Sequence, residues 1–160
     1  MASQDRPRAL RSLDSSVPTY VSFVNKCGRD AAAWWLNFSG DPTSYGIIKP
    51  GTALAMNTYI THPWVFRVSD SGAKLLANMK EVYFPEATDF QDGEPVFLQV
   101  MITPPVYSLQ EYCLMLIRRL VKKRDYSKLD ITASLKKDLH ELPDLQRELT
   151  CLNTAFQAMD

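Results

Sequence analysis

The chain has 160 residues, 46% hydrophobic and 22% charged, with 18 basic and 18 acidic side chains and so no formal net charge. This is ordinary globular composition, with room for one domain and a small appendage. A balanced charge gives no global field for nucleic acid or an anionic membrane, and no apolar run reaches the roughly 18 residues of a membrane span.

In chain order, residues 1–10 are polar and basic and are expected to form a flexible lead-in, not a secretory signal, since no apolar run follows. From Thr19 the pattern becomes short apolar runs broken by turn residues. Strands are predicted at Thr19–Asn25, Ala31–Phe38, Gly46–Ile48, Ala53–Tyr59, Trp64–Val68, Lys74–Asn78, Glu81–Phe84 and Pro95–Ile102. Ser39-Gly40-Asp41-Pro42 and Pro50-Gly51 supply turn chemistry between them. Strands of this length and spacing indicate a β sandwich or barrel.

Pro104-Pro105 ends that pattern, since two prolines suit neither a helix interior nor a central strand. Afterwards Leu109, Cys113, Leu116, Ile117, Leu120 and Val121 recur on one face of an α-helix. Ser108 and Glu111 have capping-box spacing and mark its start. Leu129, Leu135, Leu139 and Leu142 suggest two further short helices. Pro143-Asp144 opens a last amphipathic helix carrying Leu145, Leu149, Leu152 and Phe156. The expected architecture is α+β, mainly β. A β sandwich over residues 11–105 precedes a helical domain at 106–142. A C-terminal helix at 143–160 packs back on the β domain.

Cysteines 27, 113 and 151 are odd in number and far apart, which argues against a disulfide framework and for a reducing compartment. The two histidines, His62 and His140, and the lack of CxxC or HxxxH spacing predict no zinc site. No cofactor is expected. No nucleophile, base and acid form a recognisable catalytic motif, so a non-catalytic protein is expected.

The apolar stripe on the helix from Ser108 is wide for a small helical appendage. It either packs against the other helices and the β domain, or forms a partner surface of the helix-in-groove kind. Cys113, small and polarizable in the middle of the stripe, favours close approach by a partner. The run S-L-x-x-x-C-x-x-x-I resembles the elongin C-binding motif of cullin-ligase substrate receptors. The basic run Arg118, Arg119, Lys122, Lys123 and Arg124 complements the helix C-terminus and lacks the aromatic interleaving of a nucleic-acid surface.

Trp35-Leu36-Asn37-Phe38, Gly40-x-Pro42-x-x-Tyr45, Pro50-Gly51-Thr52 and Asn57-Thr58-Tyr59-x-x-His62-Pro63-Trp64-x-Phe66-Arg67 follow one another in the β part. Pro105-Val106-Tyr107-Ser108-Leu109 and Tyr126-x-x-Leu129-Asp130-Ile131 continue into the helical part. In this order, over residues 10 to 152, they resemble the von Hippel–Lindau tumour-suppressor family. The resemblance implies a substrate receptor of an elongin–cullin–RING ubiquitin ligase, working in cytoplasm and nucleus. Its β domain would recognise 4-hydroxyproline in hypoxia-inducible factor alpha. Trp35, Tyr45, Thr58, His62 and Trp64 would form the pocket, with Asn57 and Tyr59 beside it. Leu109, Cys113, Leu116, Ile117, Leu120, Leu129 and Leu135 would bind elongin C, which with elongin B joins the receptor to a cullin and a RING subunit. Lys122, Lys123 and Tyr126 would face the cullin.

The chemistry is coherent. Indole and phenol faces suit a proline ring, and a threonine hydroxyl with a histidine nitrogen can bond its added hydroxyl. Taken alone, Trp35 and Trp64 fit a plain sandwich core better than a binding site, and His62 can be a satisfied turn histidine. Several residues depart from the family pattern. Ala53, Leu54 and Ala55 stand for a glycine and two arginines, Asn57 for a histidine, Thr58 for a serine, Asp14 for an asparagine and Ser16 for an arginine. Tyr112 stands for an arginine, and Lys123 for a proline in the cullin-facing segment. Positive charge is thus lost beside a groove that in the family receives an acidic peptide, which weakens electrostatic steering. The pattern resembles a diverged paralogue, for which binding of client or elongin C without cullin recruitment is the alternative function.

Overall fold

The computed structural model of the protein describes residues 10–158. Its strands are β1 (Pro18–Asn25), β2 (Ala31–Leu36), β3 (Pro42–Ile48), β4 (Ala53–Tyr59), β5 (Trp64–Val68), β6 (Lys74–Ala77), β7 (Asp89–Gln91), β8 (Glu94–Val96) and β9 (Leu98–Thr103). Its helices are α1 (Leu109–Leu120), a 3-10 helix (Lys123–Lys128), α2 (Ala133–His140) and α3 (Leu145–Gln157). Two compact units result. One takes the chain to Pro105 and regains it from Asp144; the other is Val106–Pro143.

In the first unit seven strands run in the order β3-β2-β5-β6-β9-β1-β4. β6 is the corner. Its Lys74 and Leu75 pair with β5, whereas Leu76 and Ala77 pair with β9. A strand shared in this way lets the sheet fold over itself into two layers. Phe23 of β1 meets Trp64 and Phe66 of β5 across the interior, at ring-centroid distances of 5.1 and 4.8 Å.

Burial along the strands shows what covers each layer. β1 alternates, with Thr19, Val21, Phe23 and Asn25 inside and Tyr20, Ser22 and Val24 half-buried outside. Its layer is therefore covered on one face. β5 is buried at every position. Its second face meets α3, where Leu149 joins Leu10, Leu36 and Val65 in a common cluster with Trp34 and Phe156 at its edge. Asp144 caps α3 through its side chain onto the Gln146 amide. Arg67 of β5 reaches Glu148 of α3 at 2.9 Å, and Asn153 of α3 accepts from the Leu10 amide at 2.6 Å. The helix thus folds onto the β layer, in agreement with the amphipathic pattern of the C-terminus.

Some expectations need correction. Residues 1–9 of the expected flexible lead-in lie outside the described residues, as do 159–160 of the last helix. Leu10, at the end of that lead-in, is 2% exposed and sits in the α3 cluster. Glu81–Phe84 is no strand: only Tyr83 pairs, through reciprocal backbone bonds of 2.9 Å with Trp64. Pro95–Ile102 divides into β8 and β9, and β7 with β8 forms a separate two-stranded ribbon. Its strands are three residues long and mostly exposed, so they carry no burial alternation to read.

In the second unit α1 begins as expected. Ser108 Oγ accepts from the Glu111 amide at 3.1 Å, and Glu111 accepts from the Ser108 amide at 2.8 Å. Leu129 caps the end of the 3-10 helix, and Leu142 lies beyond α2; neither is inside a helix. Arg118 does more than complement its own helix end. Its guanidinium donates to the carbonyls of Asp138, Leu139 and Glu141, which close the C-terminal end of α2.

Candidate functional site

The first candidate site is an aromatic pocket in the β unit. Trp35 of β2 and Trp64 of β5 are cross-strand partners, so both side chains share one face of the layer. Tyr45 reaches the same place because β3 is irregular. Ala32 pairs with Ile47 but Trp34 pairs with Ser44, so Tyr45 and Gly46 together oppose Ala33. This bulge changes the side-chain phase between Ile47 and Tyr45. Gly46 accommodates it at φ 94°, a conformation that side chains oppose. Tyr45 consequently lies 6.1 Å from Trp35 and 5.0 Å from Trp64, edge-on to each.

Thr58 and His62 supply the polar atoms. Thr58 is an inward position of β4, opposite Thr19 of β1. Its Oγ1 accepts from Trp64 Nε1 at 3.1 Å. With that lone pair engaged, the hydroxyl proton remains to be donated. His62 stacks on Trp35, with ring centroids 5.1 Å apart and an interplanar angle of 28°. Its Nε2 meets the Asp14 carbonyl at 2.9 Å. A carbonyl only accepts, so Nε2 carries the proton, and in the neutral ring Nδ1 is the acceptor. Burial pushes the His62 pKa below its ordinary 6.5, against the opposing pull of the Asp14 carbonyl and carboxylate. The pocket therefore holds one free donor, on Thr58, and one free acceptor, on His62.

The lowered pKa has a consequence for stability. The unfolded histidine takes a proton near 6.5, while the folded ring resists it. The neutral ring's contribution is thus fully present above that pH, and stability falls as pH drops below it. Urea midpoints measured from pH 7.5 to 5.5 should decline more steeply in the wild type than in His62→Gln. Parallel declines would contradict this.

The pocket unites Trp35, Tyr45, Thr58, His62 and Trp64. Trp64 is 2% exposed and Thr58 3%, so Trp64 is sandwich core and pocket floor at once. Trp35 is half-buried, with Nε1 donating to Ser12 Oγ at 2.7 Å. It lines the rim and is not plain core. Tyr59 flanks the site, its ring 4.9 Å from His62. Asn57 differs: it is exposed and opposes Tyr20 on the outer face of β4, so it lies outside the pocket. Phe38, 5.5 Å from His62 and 5.7 Å from Trp35, is an unanticipated wall residue. Ser12 and the Asp14 carbonyl were also not anticipated. A backbone carbonyl has no residue-type signature, so nothing in the sequence pointed to it.

The second candidate site is in the helical unit. No residue of α1 is buried. Leu109 is 80% exposed, Leu116 50% and Leu120 72%, so the stripe stays open. Leu109, Cys113, Ile117 and Leu135 line a groove of about 300 Å³ together with Leu114 and Ile131. Leu116 and Leu120 extend the same face of α1 beyond it. Leu129 is half-buried and does not line the groove. Of the residues expected to face a cullin, Lys122 and Lys123 are exposed. Tyr126 is buried, with its ring 5.3 Å from His140. Its side chain joins the 3-10 helix to α2. Among the described residues, no group of three His, Cys, Asp or Glu side chains could hold a metal ion.

Comparison with known proteins agrees with this division. The family model described as VHL beta domain matches residues 10–91, and the one described as VHL box domain matches residues 107–155. A curated relative, Protein Vhl of Drosophila melanogaster, is 25% identical over 124 residues, covering 73% of this chain and 70% of its own length. The first model covers the strands that build the aromatic pocket, and the second covers α1 with its open stripe. The family is one of substrate-recognising adaptors, not of enzymes. With both models matched in order, the chain belongs to the von Hippel–Lindau family.

Proposed function

We propose that this chain is the substrate-recognition subunit of an elongin–cullin–RING ubiquitin ligase, and that its β pocket binds prolyl-hydroxylated hypoxia-inducible factor alpha. The observation that carries the reading is the donor–acceptor pair. Thr58 has a hydroxyl proton to give, and His62 Nδ1 has a lone pair to receive one. A 4-hydroxyproline hydroxyl both accepts and donates, so it satisfies the two groups together. Its ring would lie against the aromatic surface that Trp35, Trp64 and Tyr45 form. Among the described residues β4 is the last strand of its sheet, with one edge unpaired. An extended peptide can add to that edge while its modified residue enters the pocket.

On this reading the open α1 stripe, from Leu109 through Cys113 to Ile117, seats elongin C. Ubiquitin transfer belongs to the partner subunits. Calorimetry with paired peptides tests the pocket: the hydroxyproline form binds and the proline form does not. Equal binding of both would sink the assignment.

Two observations favour a second reading. Lys123 opens the 3-10 helix where the family pattern has proline, and Tyr126 is turned inward. A chain that seats elongin C but recruits cullin poorly would protect or compete for its client. Co-purification separates the two: elongin C with cullin supports the receptor, and elongin C without cullin supports the competitor.

A further inference from the structure

The walls of the pocket carry almost no charge. Residues 12–25, 31–38, 42–48 and 50–66 contain no lysine or arginine, and their one acidic residue is Asp14. These stretches include all of β1 to β4 and the approach to β5, and so the open β4 edge as well. The ionic side chains that border these stretches are engaged elsewhere: Lys49 pairs with Asp30 at 2.8 Å, Arg67 pairs with Glu148 at 2.9 Å, and Arg11 donates to the Phe38 carbonyl at 3.4 Å, while Lys26 follows the end of β1.

Asp14 is firmly placed. Its amide donates to Thr61 Oγ1 at 3.1 Å, and its carbonyl accepts from Thr61 Oγ1 at 2.8 Å and from His62 Nε2 at 2.9 Å. Its carboxylate accepts from the Ser16 amide at 3.1 Å. The carboxylate is thus an exposed negative charge on the same residue whose backbone carbonyl holds His62.

We infer, resting on the pocket reading above, that Asp14 biases this groove among hydroxyproline peptides, so that neutral or basic flanks bind more tightly than acidic ones. An acidic flank finds no cation on β4 and is repelled by Asp14. A lysine or arginine beside the hydroxyproline gains a partner.

The test uses the full chain and three hydroxyproline peptides that differ only in the residues flanking the modified proline: lysine, serine or aspartate. Binding is measured by calorimetry at low and high salt. At low salt the lysine peptide should bind about fivefold to tenfold more tightly than the aspartate peptide, the scale of two surface charge interactions. In half-molar salt, where screening acts within a few ångströms, the difference should shrink towards unity. Asp14→Asn should remove it at low salt. That variant keeps the Ser16 acceptor and leaves the backbone carbonyl to His62 untouched, so the pocket stays intact. Equal binding of all three peptides, or a preference that survives in Asp14→Asn, would overturn the inference while leaving the pocket in place. Failure of every hydroxyproline peptide to bind would remove both the pocket reading and the inference.

Discussion

The double variant Thr58→Val, His62→Ala should lose the preference for hydroxyproline over proline almost entirely. A site whose buried polar groups expect a hydroxyl can reject the analogue lacking it by about 10⁴-fold or more. That discrimination arises because unmodified proline leaves both the Thr58 proton and the His62 lone pair without partners. Remove both groups and nothing remains to be left unpaired. Affinity for the hydroxylated peptide should then fall to the level of the proline peptide, with the ring still held by Trp35, Tyr45 and Trp64. Thr58→Val alone carries a cost in the free protein as well. It deprives Trp64 Nε1 of its acceptor at 3.1 Å, and a buried donor without a partner costs about 1–3 kcal/mol. Calorimetry with the paired peptides and urea unfolding of the free variants measure the two effects separately. A double variant that still prefers hydroxyproline tenfold would show that the hydroxyl is read elsewhere.

Glu148→Ala is expected to loosen α3 from the β unit. The Arg67 side chain is 4% exposed, and Glu148 supplies its only carboxylate among the described salt bridges, at 2.9 Å. The guanidinium also donates to the Phe66 carbonyl at 2.9 Å, which orients it but does not neutralise it. Removing one partner of a buried pair leaves a charge in a poor solvent, a loss of about 3–5 kcal/mol when both are deeply buried. Glu148 is partly exposed, at 36%, so water can reach the vacated side and about 2–3 kcal/mol is the appropriate scale here. Replacing both residues, Arg67→Leu with Glu148→Leu, should recover most of the loss, because two apolar side chains extend the cluster of Val65 and Leu149. Urea unfolding followed by tryptophan fluorescence reads this through Trp34 at the edge of the same cluster. A single variant as stable as the wild type would mean that the pair is not needed to hold the helix.

Much of the architecture was legible because it rests on local physics. The Ser108–Glu111 box, the 3.6-residue spacing of α1 and the Asp144 cap of α3 depend on neighbours a few residues away. The alternation of β1 records a sheet with one covered face, and it is visible for the same reason. The aromatic and polar residues of the pocket also stood out by type and order. The ribbon of β7 and β8 did not, since its side chains face solvent on both sides and burial leaves no period in them.

The amino-acid sequence by itself determined the strand-rich domain, the helix with its apolar stripe, the near absence of charge along residues 50–66, and the set of residues that can meet a hydroxylated proline ring. Only the tertiary structure decided how those residues act. The bulge at Gly46 brings Tyr45 onto the face of Trp35 and Trp64, which period-two counting would not show. The Asp14 carbonyl fixes the proton on His62 Nε2 and so makes Nδ1 an acceptor. Trp64 engages a Thr58 lone pair and so leaves its proton free. Asn57 is placed outside the pocket, and Tyr126 is withdrawn from the surface. The reason is common to all of these. Donor and acceptor roles, side-chain phase and burial come from groups distant in the chain, several of them backbone atoms whose chemistry is the same in every residue.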